Sequence, residues 1–343
     1  MFLPFSWILG TPEWTPFNSN PLDCFFQGLV GACGISVLCN LLRVYHFIQT
    51  CSDSESETES EQSSSSPGNP LSGRWRTVVQ FWSLVVVLSV VGSRVSSLIV
   101  LEFSLRAVSA WASAGLDVNG RGPDLLLIQS QFSLGCGLTC TLVFLHQGAP
   151  HSSLSLFLAA ALSWALASVS HSLWSHVARR YPLHSTERYC GKCITLLTSG
   201  HAILAKLQRA VVLALAIATV ASATTVYDHF LSQKDALKFW TPLALCYTML
   251  VVYMQEDQNR QTGTDALLHT AVLRLGALLV LMLAVGDWSD VFHVLITFLG
   301  EAVCLLPSQD LLKAALKEEE DTSLNESSHK TRERTRKTSS GDN

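Results

Sequence analysis

Three charges interrupt the apolar run "VVGSRVSSLIVLEFSLRAV": Arg94, Glu102 and Arg106. Glu102 and Arg106 are four residues apart, so on a helix they share a face and can pair. Arg94 lies ~12 Å farther along the same axis. A second set is Arg274 and Glu301, in two apolar blocks separated only by the turn "GDWSD". Those blocks read as an antiparallel hairpin, and both residues fall ~17 Å from its turn. The register therefore predicts a direct Arg274–Glu301 bridge near mid-bilayer. Ionisable groups are costly inside a membrane; there they mark solute, ion or proton pathways, or pair to fix helix packing. Gln129 and Gln131, in the neighbouring block "LLLIQSQFSLGCGLTC", are candidates to line a cavity with Arg274 and Glu301.

A different chemistry is suggested by "HSTERYCGKC". Cys190 and Cys193 have the spacing of a redox dithiol or half a zinc site, with His184 as a further ligand and Lys192 able to lower a thiol pKa. No second C-x-x-C exists and no strand-to-helix context surrounds this one, so metal or redox chemistry here is the weaker reading. "VYDHF" and "AVGDW" imitate paired intramembrane aspartates, but Ala284 stands where the second motif needs glycine, and no P-A-L follows. No resident cofactor is implied.

These side chains must be carried by membrane helices. The chain is 343 residues long, 48% hydrophobic and only 15% charged, against roughly 25% charged in soluble domains. Apolar residues arrive in blocks of about 20, the length that crosses a ~30 Å hydrocarbon core. They lack the two-residue alternation of a barrel. The blocks are residues 22–42, 78–116, 125–145, 154–173, 210–227, 239–254, 267–285 and 291–306. As one straight helix the second would be ~57 Å long, too long for a single crossing. Either it crosses once and continues along the interface, or it turns near residues 92–94 and crosses again. The expected fold is all-α, a polytopic helical membrane bundle of eight or nine transmembrane helices.

In block one Gly28, Ala32 and Ser36 recur every fourth residue, a small face that admits a close helix neighbour. Seven cysteines lie inside apolar blocks, where they act as small hydrophobes, and no disulfide framework is legible. Residues 1–21 carry four prolines and lack the basic start of a secretory signal. Residues 51–72 form an acidic, serine-rich loop expected to be disordered. It is either a solvated spacer or a substrate for an acidophilic kinase. Residues 174–209 are basic. Residues 307–343 read as a short amphipathic helix followed by a disordered tail. Lys330, Arg332, Arg334, Arg336 and Lys337 in that tail could contact anionic lipid.

Lys and Arg concentrate on the cytoplasmic side of membrane proteins. Both topologies put residues 179–209 and the C-terminus in the cytosol. Nine crossings with the N-terminus outside gives the stronger bias, and Arg43 directly after block one favours it.

The stretches "VVGSRVSSLIVLEFSLRAVS", "QFSLGCGLTC", "FLHQGAPH", "RYCGKC" and "FWTPLALCYTMLVVYMQEDQ" resemble the vertebrate transmembrane protein 82 family. The resemblance runs over nearly the whole chain, from block one to block eight, the acidic loop and the tail excepted. It implies a multi-pass membrane protein without an established activity, and it brings no catalytic or binding residues. The function classes left are a solute or ion transporter or channel-like protein, a non-transporting scaffold or regulator acting through cytosolic loops and tail, and, third, an enzyme using Cys190 and Cys193. The bilayer is the expected partner, with no nucleic acid. The choice of membrane is not encoded. In the nine-crossing topology, a cysteine at Ser64→Cys is shielded from an impermeant maleimide in intact cells and labelled after permeabilisation; labelling without permeabilisation would place that loop outside.

Overall fold

Helix breaks and small-residue contacts, more than helix propensity, decide how this chain packs. The computed structural model describes residues 21–54, 70–114, 123–146, 152–180, 201–230, 264–285, 288–308 and 311. The elements are α1 (Pro21–Ser54), α2 (Pro70–Ala114), α3 (Pro123–Gln129), α4 (Gln131–His146), α5 (Ser152–Arg180), α6 (His201–Phe230), α7 (Thr264–Val285) and α8 (Trp288–Leu305). A 3₁₀ turn, Leu306–Ser308, follows α8. Among the described residues the protein is entirely helical. Block 239–254, the C-x-x-C motif and the basic tail lie outside them.

α1 runs on past its apolar block. Val44 and Ile48 pack on Val177 of α5, with Phe47 against Trp174, so the helix keeps a partner as far as Ile48. α2 in turn begins at Pro70, which trims the expected 51–72 loop from both sides. The basic segment 174–209 is trimmed likewise, because α5 reaches Arg180 and α6 starts at His201.

α2 is not one rod. Gly92 has φ 71° and ψ 165°, a conformation open in practice only to glycine. The contacts on either side show that the chain turns back there. Before the break, Gln80 donates to the Val303 carbonyl at 3.2 Å. Just after it, Arg94 reaches Asp290 at 3.3 Å, near the start of α8. A straight continuation would carry Glu102 beyond α8 altogether. Instead Glu102 and Glu301 hold the same arginine, Arg274. α3 and α4 record the same reversal. Cys140 lies 3.6 Å from the Ser93 carbonyl, while Arg106 bonds Gln129, eleven residues nearer the start, at 2.8 Å. Residues 70–91 and 93–114 are thus two arms of a loopless helical hairpin.

The directions of the other helices follow from their contacts. α1 and α5 run parallel: Ser153 bonds Asp23, Phe157 meets Phe26, and Ser170 bonds Asn40. α4 and α6 are also parallel, with Leu134 in the cluster of Leu207 and Val211, and Gly137 facing Ala218. α7 and α8 pack as a hairpin.

Glycines set the closest approaches. A methyl at Gly28 would meet the Ser89 side chain and α2 backbone, and one at Gly31 would meet the Gly135 carbonyl at 2.9 Å. Gly28 and fully buried Ala32 therefore form the small face expected on α1, extended by Gly31. Gly300 admits the ring of Phe132 in the same way. α4 ends up innermost, with Gln131 to Gly137 all buried. α5 and α6 expose many apolar side chains, among them Leu162, Leu166, Val212 and Val220, as helices facing lipid do.

Five helices are long and apolar enough to cross a membrane, and two shorter apolar helices, Gln131–His146 and His269–Val280, accompany them. That is fewer than the eight or nine expected for the whole chain. Trp75–Ser109 counts once there although it folds back at Gly92, and block 239–254 lies outside the described residues.

The two kinds of glycine should respond differently to alanine. At Gly92 nothing lies within 4 Å of an added methyl, so Gly92→Ala costs about 1–3 kcal/mol through backbone strain alone. Gly300→Ala costs a similar ~1–3 kcal/mol through overpacking against Phe132. A compensating Phe132→Leu should recover stability in thermal unfolding only for Gly300→Ala.

Candidate functional site

A four-charge cluster sits where α2, α7 and α8 meet. Arg274 is central. Its Nε lies 3.4 Å from Glu102 Oε2, and its NH2 bonds Glu301 Oε1. Glu102 also pairs with Arg106, 3.8 Å away one turn on. Arg106 NH1 donates to Gln129 Oε1 at 2.8 Å, and its guanidinium lies 5.0 Å from the Phe103 ring centre. Arg274 is 2% exposed, Glu102 3% and Glu301 4%. The group sums to zero charge, which is how full charges persist in such surroundings.

Local sequence explains the placing. Glu102 and Arg106 stack at i,i+4 on the second arm of α2, and the fold-back at Gly92 brings that arm beside α8. The hairpin of α7 and α8 aligns Arg274 with Glu301 at the register their distances from the turn require. The cluster is off-centre. In the span Trp288–Ser308, Glu301 is ~20 Å from the first end and ~10 Å from the last.

Gln129 joins the cluster and Gln131 does not. Residues two apart on a helix point to opposite sides, and the chain keeps near-helical bonding across Ser130, whose N–H donates to the Leu126 carbonyl at 3.0 Å. Gln131 accordingly faces the packed interior. Its Nε2 donates to Ser308 at 3.1 Å, and Cys39 donates to its Oε1 at 3.2 Å. The expected cavity shared by Gln129 and Gln131 is thus corrected to one that includes Gln129 alone.

Arg94 stands apart, at the hairpin tip. It pairs with Asp290, a buried residue in the first turn of α8. Sequence reading passed over Asp290; its place in the "GDWSD" turn, at the same end as Arg94, was the available signal. Thr270 was also missed, one turn before Arg274 on the same face of α7.

A small cleft opens beside the cluster, lined by Arg106, Gln129, Thr270, Arg274, Glu301 and Leu305. It has room for about one water molecule. Glu102 is not part of the lining; it sits behind Arg274. Among the described residues no group of His, Cys, Asp and Glu side chains is arranged to hold a metal, and their cysteines are free thiols, mostly buried. Cys190, Cys193 and His184 lie outside the described residues.

An all-helical bundle with lipid-facing apolar helices and a buried, neutral ionic cluster defines a polytopic membrane protein. The chain belongs to the transmembrane protein 82 family, whose model matches residues 22–326. No solved structure matches it.

Arg274 holds two carboxylates, so its loss should be the most disruptive in the cluster. Arg274→Leu leaves Glu102 and Glu301 buried without their shared partner and should cost about 3–5 kcal/mol. Glu301→Gln keeps a hydrogen-bond acceptor and leaves Arg274 paired with Glu102, so it should cost roughly 1–3 kcal/mol. Thermal unfolding in detergent micelles ranks the two; equal losses would show that Arg274 does not bridge both acids.

Proposed function

We propose that this protein is a transporter or channel-like conductor of a small ionic or polar solute, with the Glu102–Arg106–Arg274–Glu301 cluster on its path. The observation that carries the reading is a cleft reaching a charge cluster inside a membrane helix bundle. Ionisable residues inside a membrane bundle are costly to bury and are typically found along ion and solute routes. A solute entering the cleft would exchange contacts with a guanidinium already shared between two acids.

We further propose nine crossings, the two arms of α2 counting separately, with the N-terminus outside and the C-terminus in the cytosol. The parallel pairing of α1 with α5 supports this count. One crossing by α2 would make that pair antiparallel. Block 239–254, expected from the sequence as a further crossing, lies outside the described residues. The cluster then lies nearer the cytosolic face, and Arg94–Asp290 nearer the outer one.

A second reading has an observation of its own. The four charges neutralise one another, as they would in a brace for a scaffold protein. Reconstitution separates the two. In the transport reading, purified protein in liposomes moves at least one member of a panel of inorganic ions and small polar solutes, and Glu301→Gln changes that flux while the protein stays folded. Flux indistinguishable from protein-free liposomes, with Glu301→Gln lowering only the unfolding temperature, would leave the brace.

A further inference from the structure

We propose that the groove between α5 and the first arm of α2, floored by α1, binds an anionic phospholipid by its headgroup. The site is separate from the charge cluster and does not depend on the transport reading.

Three stripes build the groove, each repeating at seven residues and so keeping to one helix face. They are Ser36 and Arg43 on α1, Trp164 and His171 on α5, and Trp75 and Trp82 on the first arm of α2. Contacts show where they meet. The ring centres of Trp82 and Trp164 lie 6.4 Å apart, and those of Phe81 and Trp164 5.7 Å. The other member of each stripe comes ~10 Å farther along. The Asn40–Ser170 bond, between parallel helices, sets His171 level with Leu41. α1 and the first arm of α2 run antiparallel, and counting along both from the Gly28–Ser89 contact sets Trp75 level with Leu42. Arg43 therefore lies at the depth of His171 and Trp75, and the three edge one opening.

That opening is positive. α1 has no acid between Asp23 and Asp53, and residues 70–91 and α5 have none. Asp53 is ten residues, ~15 Å, beyond Arg43. Among the described residues, neither Arg43 nor His171 is in an ion pair. Exposed Arg179, eight residues past His171, adds charge toward the water.

Depth and surface name the occupant. Trp75 begins one membrane span, and Arg43 lies six residues inside the end of another, Pro21–Gln49. Tryptophan favours the membrane interface, and an arginine at that depth snorkels toward the phosphate layer. His171 offers a ring N–H in either neutral tautomer. Toward mid-bilayer the exposed surface turns apolar, with Val78, Trp82 and Trp164. An anionic headgroup carrying acyl chains matches both parts; a free phosphate ion matches only the opening. In the nine-crossing topology the opening lies in the cytosolic leaflet, where anionic lipids collect.

The test adds phosphatidylserine, phosphatidylglycerol or phosphatidylcholine to the full chain in detergent micelles and follows thermal unfolding. Each anionic lipid should raise the midpoint by roughly 3 °C over phosphatidylcholine at saturation. Arg43→Gln should weaken binding about fivefold, and His171→Gln about threefold. Arg209→Gln should leave it unchanged: it removes a charge from α6, whose Leu204 and Leu207 pack with Leu38 and Leu42 on another face of α1. If Arg43→Gln fails to fold, His171→Gln, at an exposed position, carries the comparison. Equal midpoints in the three lipids overturn the proposal. So does a loss in Arg209→Gln as large as in the groove variants, which would mark a diffuse basic rim. The same rise from inorganic phosphate without lipid would overturn it too. Micelles have no sides, so the outcome is independent of topology and of flux.

Discussion

One guanidinium organises the interior of this protein. Arg274 is almost wholly buried and is shared between acids on two different helices, Glu102 and Glu301. A charge so placed cannot be left unpaired, because several kcal/mol of desolvation would be uncompensated. α2, α7 and α8 must therefore meet at this depth and in this register. Dispersion and small-residue contacts hold helices together in lipid, but many rotations and shifts satisfy them about equally. The ionic cluster discriminates among those shifts.

The cluster also explains the break at Gly92. Glu102 reaches Arg274 only if the second arm of α2 returns along α8, and the return requires a backbone conformation that other residues avoid. The tip is then fixed by Arg94 on Asp290, so both ends of the α2–α8 contact carry an ion pair. Between them the apolar core fills the gap, from Val87 and Val91 to Val294 and Cys304. Ring and glycine interlock at Phe132 and Gly300, seating α4 in the middle.

The same arrangement gives the site its character. Mutual neutralisation makes the cluster tolerable, and a cleft of about one water's volume lies beside Arg106 and Arg274. Gln131, Cys39 and Ser308 form a separate polar group nearby, satisfied within the packing and turned away from the cleft. Bonding around Ser130 sorts Gln129 to one group and Gln131 to the other.

The membrane class, the helical character and the Arg274–Glu301 register were legible in the sequence, because block length, block spacing and hairpin arithmetic are local properties. The Glu102–Arg106 pair was legible for the same reason, being one helical turn. So was the choice posed at residues 92–94: the block was too long to cross once, and a glycine beside an arginine marked the place for a turn. Only the tertiary structure decided that the chain does reverse there, that Glu102 belongs to Arg274 as well as to Arg106, and that Arg94 is held by Asp290. Each of those facts joins residues far apart in the chain, and nothing in the local pattern fixes how one helix is rotated about its axis against another. That rotation is set when buried charges find partners and glycines find neighbours, which happens only once all the helices are assembled.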